Sequence, residues 1–408
     1  MSVIDSIVSA RQTIRSLTLY NFYRKYPKAY VGAVSIVALA GYTYLLLYPL
    51  GVLFGAYQLY LTVQHPFNTQ ILMTSISWTS FVLLCTGLTH GLFTLKFKEV
   101  EGIPLSTDKA QLIFNKIEEI QQTVKWPRID SVILSRRFEL NIVKTPKWYA
   151  PFWSKTTLVI GYPFLQTLPP EFFDCALTRK ILQFAKRRNI FVNWLSFLRV
   201  TWEQYPDAFK SRNRIGDQLH YWFFRLYSSL YRHVALYATQ LDELQADSLA
   251  LNELNDRDLF KTTESIRLIQ KFLNEHYWPK LSTALNQASA APEKIKPYEH
   301  LSRTSAQMIK SEVAEQWLKI LTLEDESEGS HEPAFRERMD MMGYRKFCPL
   351  QPVEKTAAEY YFGPANPKLI AHMNKLWTHH VRQELSRKKQ TKRSRKIDPR
   401  QQKLLVAF

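Results

Sequence analysis

Between Ala29 and Leu95 the chain carries no Asp, Glu, Lys or Arg. An uncharged run of that length holds two stretches of roughly 20 apolar residues, each long enough to cross a bilayer's hydrocarbon core. The polar turn Gln64-His-Pro-Phe-Asn-Thr69 divides the run, so the pattern predicts membrane helices near Val31–Val63 and Gln70–Leu95. Past the turn at Glu101–Leu105 the pattern changes. Leu112, Ile113, Ile117 and Ile120 recur at helical spacing across 107–124. Asp130–Leu134, Phe138–Val143 and Thr156–Ile160 are β-rich runs separated by Pro and Gly, which predicts a small antiparallel sheet. After Pro169-Pro170-Glu171 the spacing is helical almost throughout to about residue 320, and a helical stretch from Ala357 to Glu384 precedes a basic tail. The fold class is therefore α+β and mostly helical, with two N-terminal transmembrane helices ahead of a domain built on the small sheet. The divisions fall at 1–28, an N-terminal segment; 29–95, the two spans; 96–365, the main domain; and 366–408, a helical coda with a disordered basic tail.

Charge orients this plan. Arg11, Arg15, Arg24, Lys25 and Lys28 precede the first span, Lys96 and Lys98 follow the second, and the turn between them has neither Lys nor Arg. The positive-inside rule places both termini and the main domain on the cytoplasmic side, with the bilayer as first partner. The net charge of +18 suggests nucleic acid, but nine basic residues against one acid lie in Arg387–Lys403, outside any apolar periodicity. Such a segment is solvated, meets anionic lipid headgroups, or binds nucleic acid; the last is the least favoured of the three. Cys85, Cys175 and Cys348 are far apart, with no CxxC spacing, which argues against a disulfide framework or a cysteine zinc site.

The candidate chemistry lies in two helical stretches, Ala176–Asn189 and Gln240–Ala250. In the first, Leu177, Ile181, Phe184 and Ala185 share one stripe; in the second, Glu243 and Asp247 stand one turn apart. Around them is an ordered series of short motifs: Gly102-Ile-Pro-Leu105; Arg137-Phe138 to Val143 with Pro146; Leu158-Val159-Ile160-Gly161; Leu168-Pro-Pro-Glu171 with Ala176-Leu177; Arg187-Arg188; Thr201-Trp202-Glu203; Glu243-x-x-Ala246-Asp247; and Ser330-His331 with Pro333, Arg336 and Arg338. In this order, behind two spans, they resemble the HtpX-like and CAAX-prenyl-protease-like family of membrane zinc metalloproteases. The resemblance covers roughly 100–365 plus the spans and implies a gluzincin-type domain on a membrane of the bacterial inner-membrane type. It implies that Leu158, Val159 and Ile160 form the edge strand that pairs with substrate, that Glu243 is the third zinc ligand, that Asp247 orients the site, and that His331 lies near the reacting centre.

The zinc helix itself departs from the family. Where a gluzincin has His-Glu-x-x-His, with two imidazoles on one helix face and a general base beside them, this chain has Arg179, Lys180 and Gln183. A guanidinium does not ligate a metal, and a lysine at the base position cannot take a proton from bound water. The expectation is a catalytically dead, membrane-anchored pseudoprotease with a binding or regulatory role toward a membrane protease or a membrane-protein substrate, and no cofactor. If the two helices cross as in the family, Glu243 faces Arg179 or Lys180; otherwise Glu243 is solvated and Arg179 lies on an outer face. The competing reading is an active zinc endopeptidase with relocated ligands drawn from Glu243, His220 and His233, although the two histidines lack i,i+4 spacing. A third is a membrane-tethered binder of anionic lipid or nucleic acid through the tail. The aromatic run Tyr221-Trp-Phe-Phe, flanked by Arg225, belongs either to a buried helix or to one at the membrane interface.

Overall fold

The computed structural model describes residues 25–397 apart from 125–128, 147–153, 186–189, 211, 213–214, 288–291, 311, 324–331, 345–346 and 348–352. Two long helices open it: α1 (Pro27–Val63) and α2 (Thr69–Phe93), the latter started by the Asn68 side chain, which accepts from the Ile71 N–H. Both are long and apolar enough to cross a membrane. Leu46, Leu47, Leu50, Leu53, Leu83 and Leu84 are all more than half exposed, as lipid-facing side chains would be.

Strand β1 (Ile103–Leu105), helix α3 (Gln111–Val124) and strands β2 (Ser131–Ser135), β3 (Leu140–Pro146) and β4 (Ser154–Gly161) follow. The sheet order is β1-β2-β4-β3. The expectation of an antiparallel sheet is corrected here: β1 with β2 and β3 with β4 are antiparallel, but β2 and β4 are parallel, with Val132 opposite Leu158 and Leu134 opposite Ile160. The sheet is mixed because β4 inserts between β2 and β3 instead of adding at the end. Its run Leu158-Val159-Ile160 is buried on both faces, which suits a central strand and not an edge. For the same reason these three residues are not the substrate-pairing edge. Both sides of β4 are occupied, and β3 is the outer strand on that side.

The remaining elements are helices: α4 (Tyr162–Thr167), α5 (Pro170–Ala185), α6 (Ile190–Lys210), α7 (Ile215–Val234), α8 (Leu236–Leu251), α9 (Asp256–Phe272), α10 (Trp278–Gln287), α11 (Pro297–Ile309), α12 (Glu312–Leu323), α13 (Phe335–Met341), α14 (Ala357–Phe362) and α15 (Asn366–Ile397). The backbone of α15 is helical to Ile397 and so takes in the first half of the tail read from sequence as disordered.

Two apolar cores result. The first joins the inner face of the sheet (Val132, Leu134, Leu140, Ile142, Leu158, Ile160) to α3 and to the Phe173–Leu177–Ile181 stripe of α5. The second joins the N-terminal half of α1 to α6, α7 and the start of α8. Trp202, Tyr205, Phe224 and Tyr231 are fully buried there. Tyr227 donates to the Val37 carbonyl at 2.8 Å and Tyr231 to the Leu195 carbonyl at 2.9 Å, so these rings satisfy their polar ends while burying large apolar area. Gly41 makes room for this contact: a Cβ there would lie 2.6 Å from the Tyr227 hydroxyl. Of the aromatic run, Phe224 is core, Tyr221 and Phe223 are half-buried against it, and Trp222 turns outward under the Arg225 guanidinium. The main domain therefore packs directly on the apolar hairpin and does not hang from it on a linker.

Candidate functional site

Helices α5 and α8 pack against each other, and their facing residues follow from sequence spacing. Arg179 and Gln183 are four apart on α5 with Lys180 beside them; Glu243 and Asp247 are four apart on α8. Ala246 and Ala250, both buried, keep the α8 face slim enough for close approach. The polar residues meet at the crossing. Arg179 donates through Nε to Asp247 Oδ1 at 2.5 Å, and through Nη2 to Glu243 Oε2 at 2.9 Å and the Glu243 carbonyl at 3.2 Å. Lys180 Nζ reaches Glu243 Oε1 at 3.2 Å and Gln183 Oε1 at 3.0 Å. Gln183 Nε2 donates to Glu243 Oε1 at 3.0 Å and Asp242 Oδ2 at 3.1 Å. From α13, Arg338 grips Asp247 with both ends of its fork, at 2.7 and 2.8 Å.

Three cations (Arg179, Lys180, Arg338) thus face three carboxylates (Asp242, Glu243, Asp247), and Asp247 is wholly buried. A buried carboxylate without such partners costs several kcal/mol, so the pairs are a condition for the crossing rather than an ornament of it. Burial raises the proton affinity of Glu243, but Lys180, Arg179 and Arg338, with the Gln183 hydrogen bond, outweigh it and hold its carboxyl well below the usual range. Asp247 is likewise raised by burial and lowered further by Arg179 and Arg338. For Arg179, burial acts to lower the pKa, and Asp247 and Glu243 reverse it. At neutral pH Arg179, Glu243 and Asp247 are therefore all ionised.

A pH dependence follows. Both carboxyls titrate lower in the folded chain than in the unfolded one, so their stabilisation is complete above the unfolded values of about 4 and is lost as pH falls through the folded ones. Asp174, raised chiefly by burial, contributes with the opposite sign. Melting temperature in detergent is expected to fall steeply below about pH 4. The fall should be shallower in Glu243→Gln and Asp247→Asn; equal acid slopes in all three proteins would remove the network from the account.

The crossing lies between two hollows. One, of about 270 Å³, is lined by Phe138, Leu140, Asn141, Arg179, Lys180 and Arg338, among others. The other, of about 250 Å³, is lined by Ile142, Lys144, Gln183, Phe184 and Asp242, among others. Both border β3, the outer strand of the sheet, so this strand and the charged crossing share the lining of each hollow.

Of the other residues singled out in the sequence, His220 is buried against the hairpin, with Nε2 on the Leu88 carbonyl at 3.1 Å and Nδ1 on the Tyr44 hydroxyl at 3.0 Å. His233 is exposed on α7 and meets the Ser229 carbonyl of its own helix. Neither lines the hollows beside Glu243. His331, with Arg187 and Arg188, lies outside the described residues. The donor set at the crossing does not fit zinc: among the described residues no imidazole or thiolate faces Glu243, and the carboxylate oxygens already accept from guanidinium, ammonium and amide groups. Among the described residues no group of three or more His, Cys, Asp or Glu is arranged to hold a metal ion. Asp242 is the participant that sequence reading missed; its position before Glu243 gave no signal apart from a second acid. Compared with protein-family models, curated proteins and solved structures, the chain gives no significant match.

Proposed function

We propose that this chain is a membrane-anchored, catalytically inactive metalloprotease-like protein that binds an extended segment of a partner along β3. The observation that carries the reading is the α5–α8 crossing. Arg179, Lys180 and Gln183 occupy the positions of the His-Glu-x-x-His triad and converge on Glu243, the residue that resemblance makes the third ligand. An ion-pair network then does structurally what a metal does in the active family: it ties the two helices together. An outer strand offers unpaired backbone groups to an extended chain, and the flanking hollows would take alternate side chains. A membrane-protein segment, presented by a substrate or by a partner protease, is the class of ligand proposed. The apolar hairpin supplies the anchor, and the flanking lysines and arginines favour a cytoplasmic domain with both termini on that side.

Elemental analysis of detergent-purified protein, with a casein digestion assay alongside, tests the reading. The expected result is no stoichiometric zinc and no chelator-sensitive proteolysis. About one zinc per chain, lost in Glu243→Ala, would overturn it in favour of a relocated metal site.

A further inference from the structure

Below the second membrane helix lies a cavity unrelated to the α5–α8 crossing. Helix α2 ends at Phe93, and residues 94–100 continue as a strap without helix or strand. Beneath the strap is the outer face of the sheet, opposite the core. Ile133 and Thr157 belong to that face, since their neighbours Val132, Leu134 and Leu158 point into the core. Between strap and sheet is a cavity of about 660 Å³, the largest hollow described here, lined by Phe93, Thr94, Lys96, Phe97, Ile133 and Lys155, among others.

Three features of this cavity point the same way. Its walls are largely apolar, but Lys96 and Lys155 stand in them, and among the described residues neither makes an ion pair. Glu99 is the only carboxylate among its lining residues. Arg212, paired with the buried Asp217 at 3.9 Å, holds the start of the strap: it donates to the Gly91 carbonyl at 3.0 Å, to the Thr94 hydroxyl at 3.2 Å and to the Thr94 carbonyl. The cavity also opens at the last turn of a helix whose apolar length matches a bilayer, the level at which headgroups sit.

We infer that this cavity holds one anionic phospholipid of the bilayer, its phosphate between Lys96 and Lys155 and its glycerol end against Phe93 and Phe97. The inference rests on the proposed membrane anchoring but not on the inactive-protease reading. Bound there, the lipid fixes the strap, and the strap leads directly into β1 and the sheet.

The test reconstitutes the full chain into nanodiscs of phosphatidylcholine containing a minority of phosphatidylglycerol, then counts retained lipid by native mass spectrometry after transfer to detergent. The expected result is one phosphatidylglycerol per chain. Lys96→Gln with Lys155→Gln should weaken retention by roughly thirty-fold, the loss of two lysine contacts to an anionic headgroup. Lys96→Arg with Lys155→Arg should keep it, and Lys280→Gln with Lys294→Gln, far along the chain, should change nothing. Equal retention in the Gln pair and the wild type overturns the inference, as does retention of phosphatidylcholine without preference. Binding of inorganic phosphate with no retained lipid overturns the assignment to lipid. A chain that does not enter nanodiscs at all overturns the membrane anchoring itself, an outcome distinct from insertion without selectivity.

Discussion

Arg179→Ala lowers the melting temperature of the detergent-solubilised protein by roughly 6–12 °C, the equivalent of about 3 kcal/mol in a domain of this size. The figure sits at the low end for breaking a buried ion pair because each carboxylate keeps other partners. Asp247 retains both ends of the Arg338 fork, at 2.7 and 2.8 Å, and Glu243 Oε1 retains Lys180 and Gln183. Glu243 Oε2 alone is stranded. Adding Glu243→Gln to Arg179→Ala removes that stranded charge and should recover about 1 kcal/mol. Single Glu243→Gln leaves Arg179 with Asp247 and costs less than Arg179→Ala. Differential scanning fluorimetry of the three variants decides the matter; unchanged melting temperatures throughout would make the crossing a surface decoration with no role in holding α5 to α8.

Arg179→His, Lys180→Glu and Gln183→His, introduced together, should convert the crossing into a zinc site. Arg179 Nη2 and Gln183 Nε2 already reach the two oxygens of one Glu243 carboxylate, at 2.9 and 3.0 Å. Imidazoles four residues apart would converge on the same point, giving the two-histidine, one-glutamate set that zinc accepts with a position left for water. Asp247 stays paired through Arg338, so the loss of Arg179 does not leave a wholly buried carboxylate alone. The new Glu at 180 supplies the carboxylate that takes a proton from metal-bound water. About one zinc per chain is expected, raising the melting temperature and disappearing when Glu243→Ala is added. A triple variant that folds and takes up no zinc shows that the helices do not cross with metalloprotease geometry, and the metalloprotease-like reading fails with it.

Much of this architecture could be read before any coordinates. The uncharged run fixed the hairpin to within a few residues, because a stretch that long without charge has few other uses. The strand segments at 131–135, 140–146 and 154–161 were also legible from β-rich runs between Pro and Gly. Their order was not. Local patterning carries no information on which strand takes the middle of a sheet, and the burial of Val159 on the second face of β4 depends on a strap some 60 residues earlier in the chain. At the crossing, i,i+4 spacing placed Glu243 and Asp247 on one face and raised the possibility of partners in Arg179 and Lys180. It could not supply Arg338, which comes from a short helix roughly 90 residues away and closes the far side of Asp247. The helical continuation of α15 to Ile397 was missed because a run of like charges has no apolar stripe to betray it.

The core shared by α1 with α6, α7 and α8 has a consequence for how the protein is made. Tyr30 donates to the carbonyl of Val234 and Tyr227 to that of Val37, contacts that bridge 204 and 190 residues of chain. Helix α1 emerges from the ribosome long before its aromatic partners are synthesised, so its N-terminal half waits with Tyr30, Val34 and Ala38 uncovered. Contacts of such long sequence separation form late and slowly. Until they form, Trp202, Phe224 and Tyr231 are an apolar surface in search of cover beside a membrane that can provide it. On the proposed membrane anchoring, the nascent domain assembles against the bilayer with the hairpin as its template. A version lacking the first helix would lose Tyr30, Val34, Ala38, Tyr42 and Leu45 from that core.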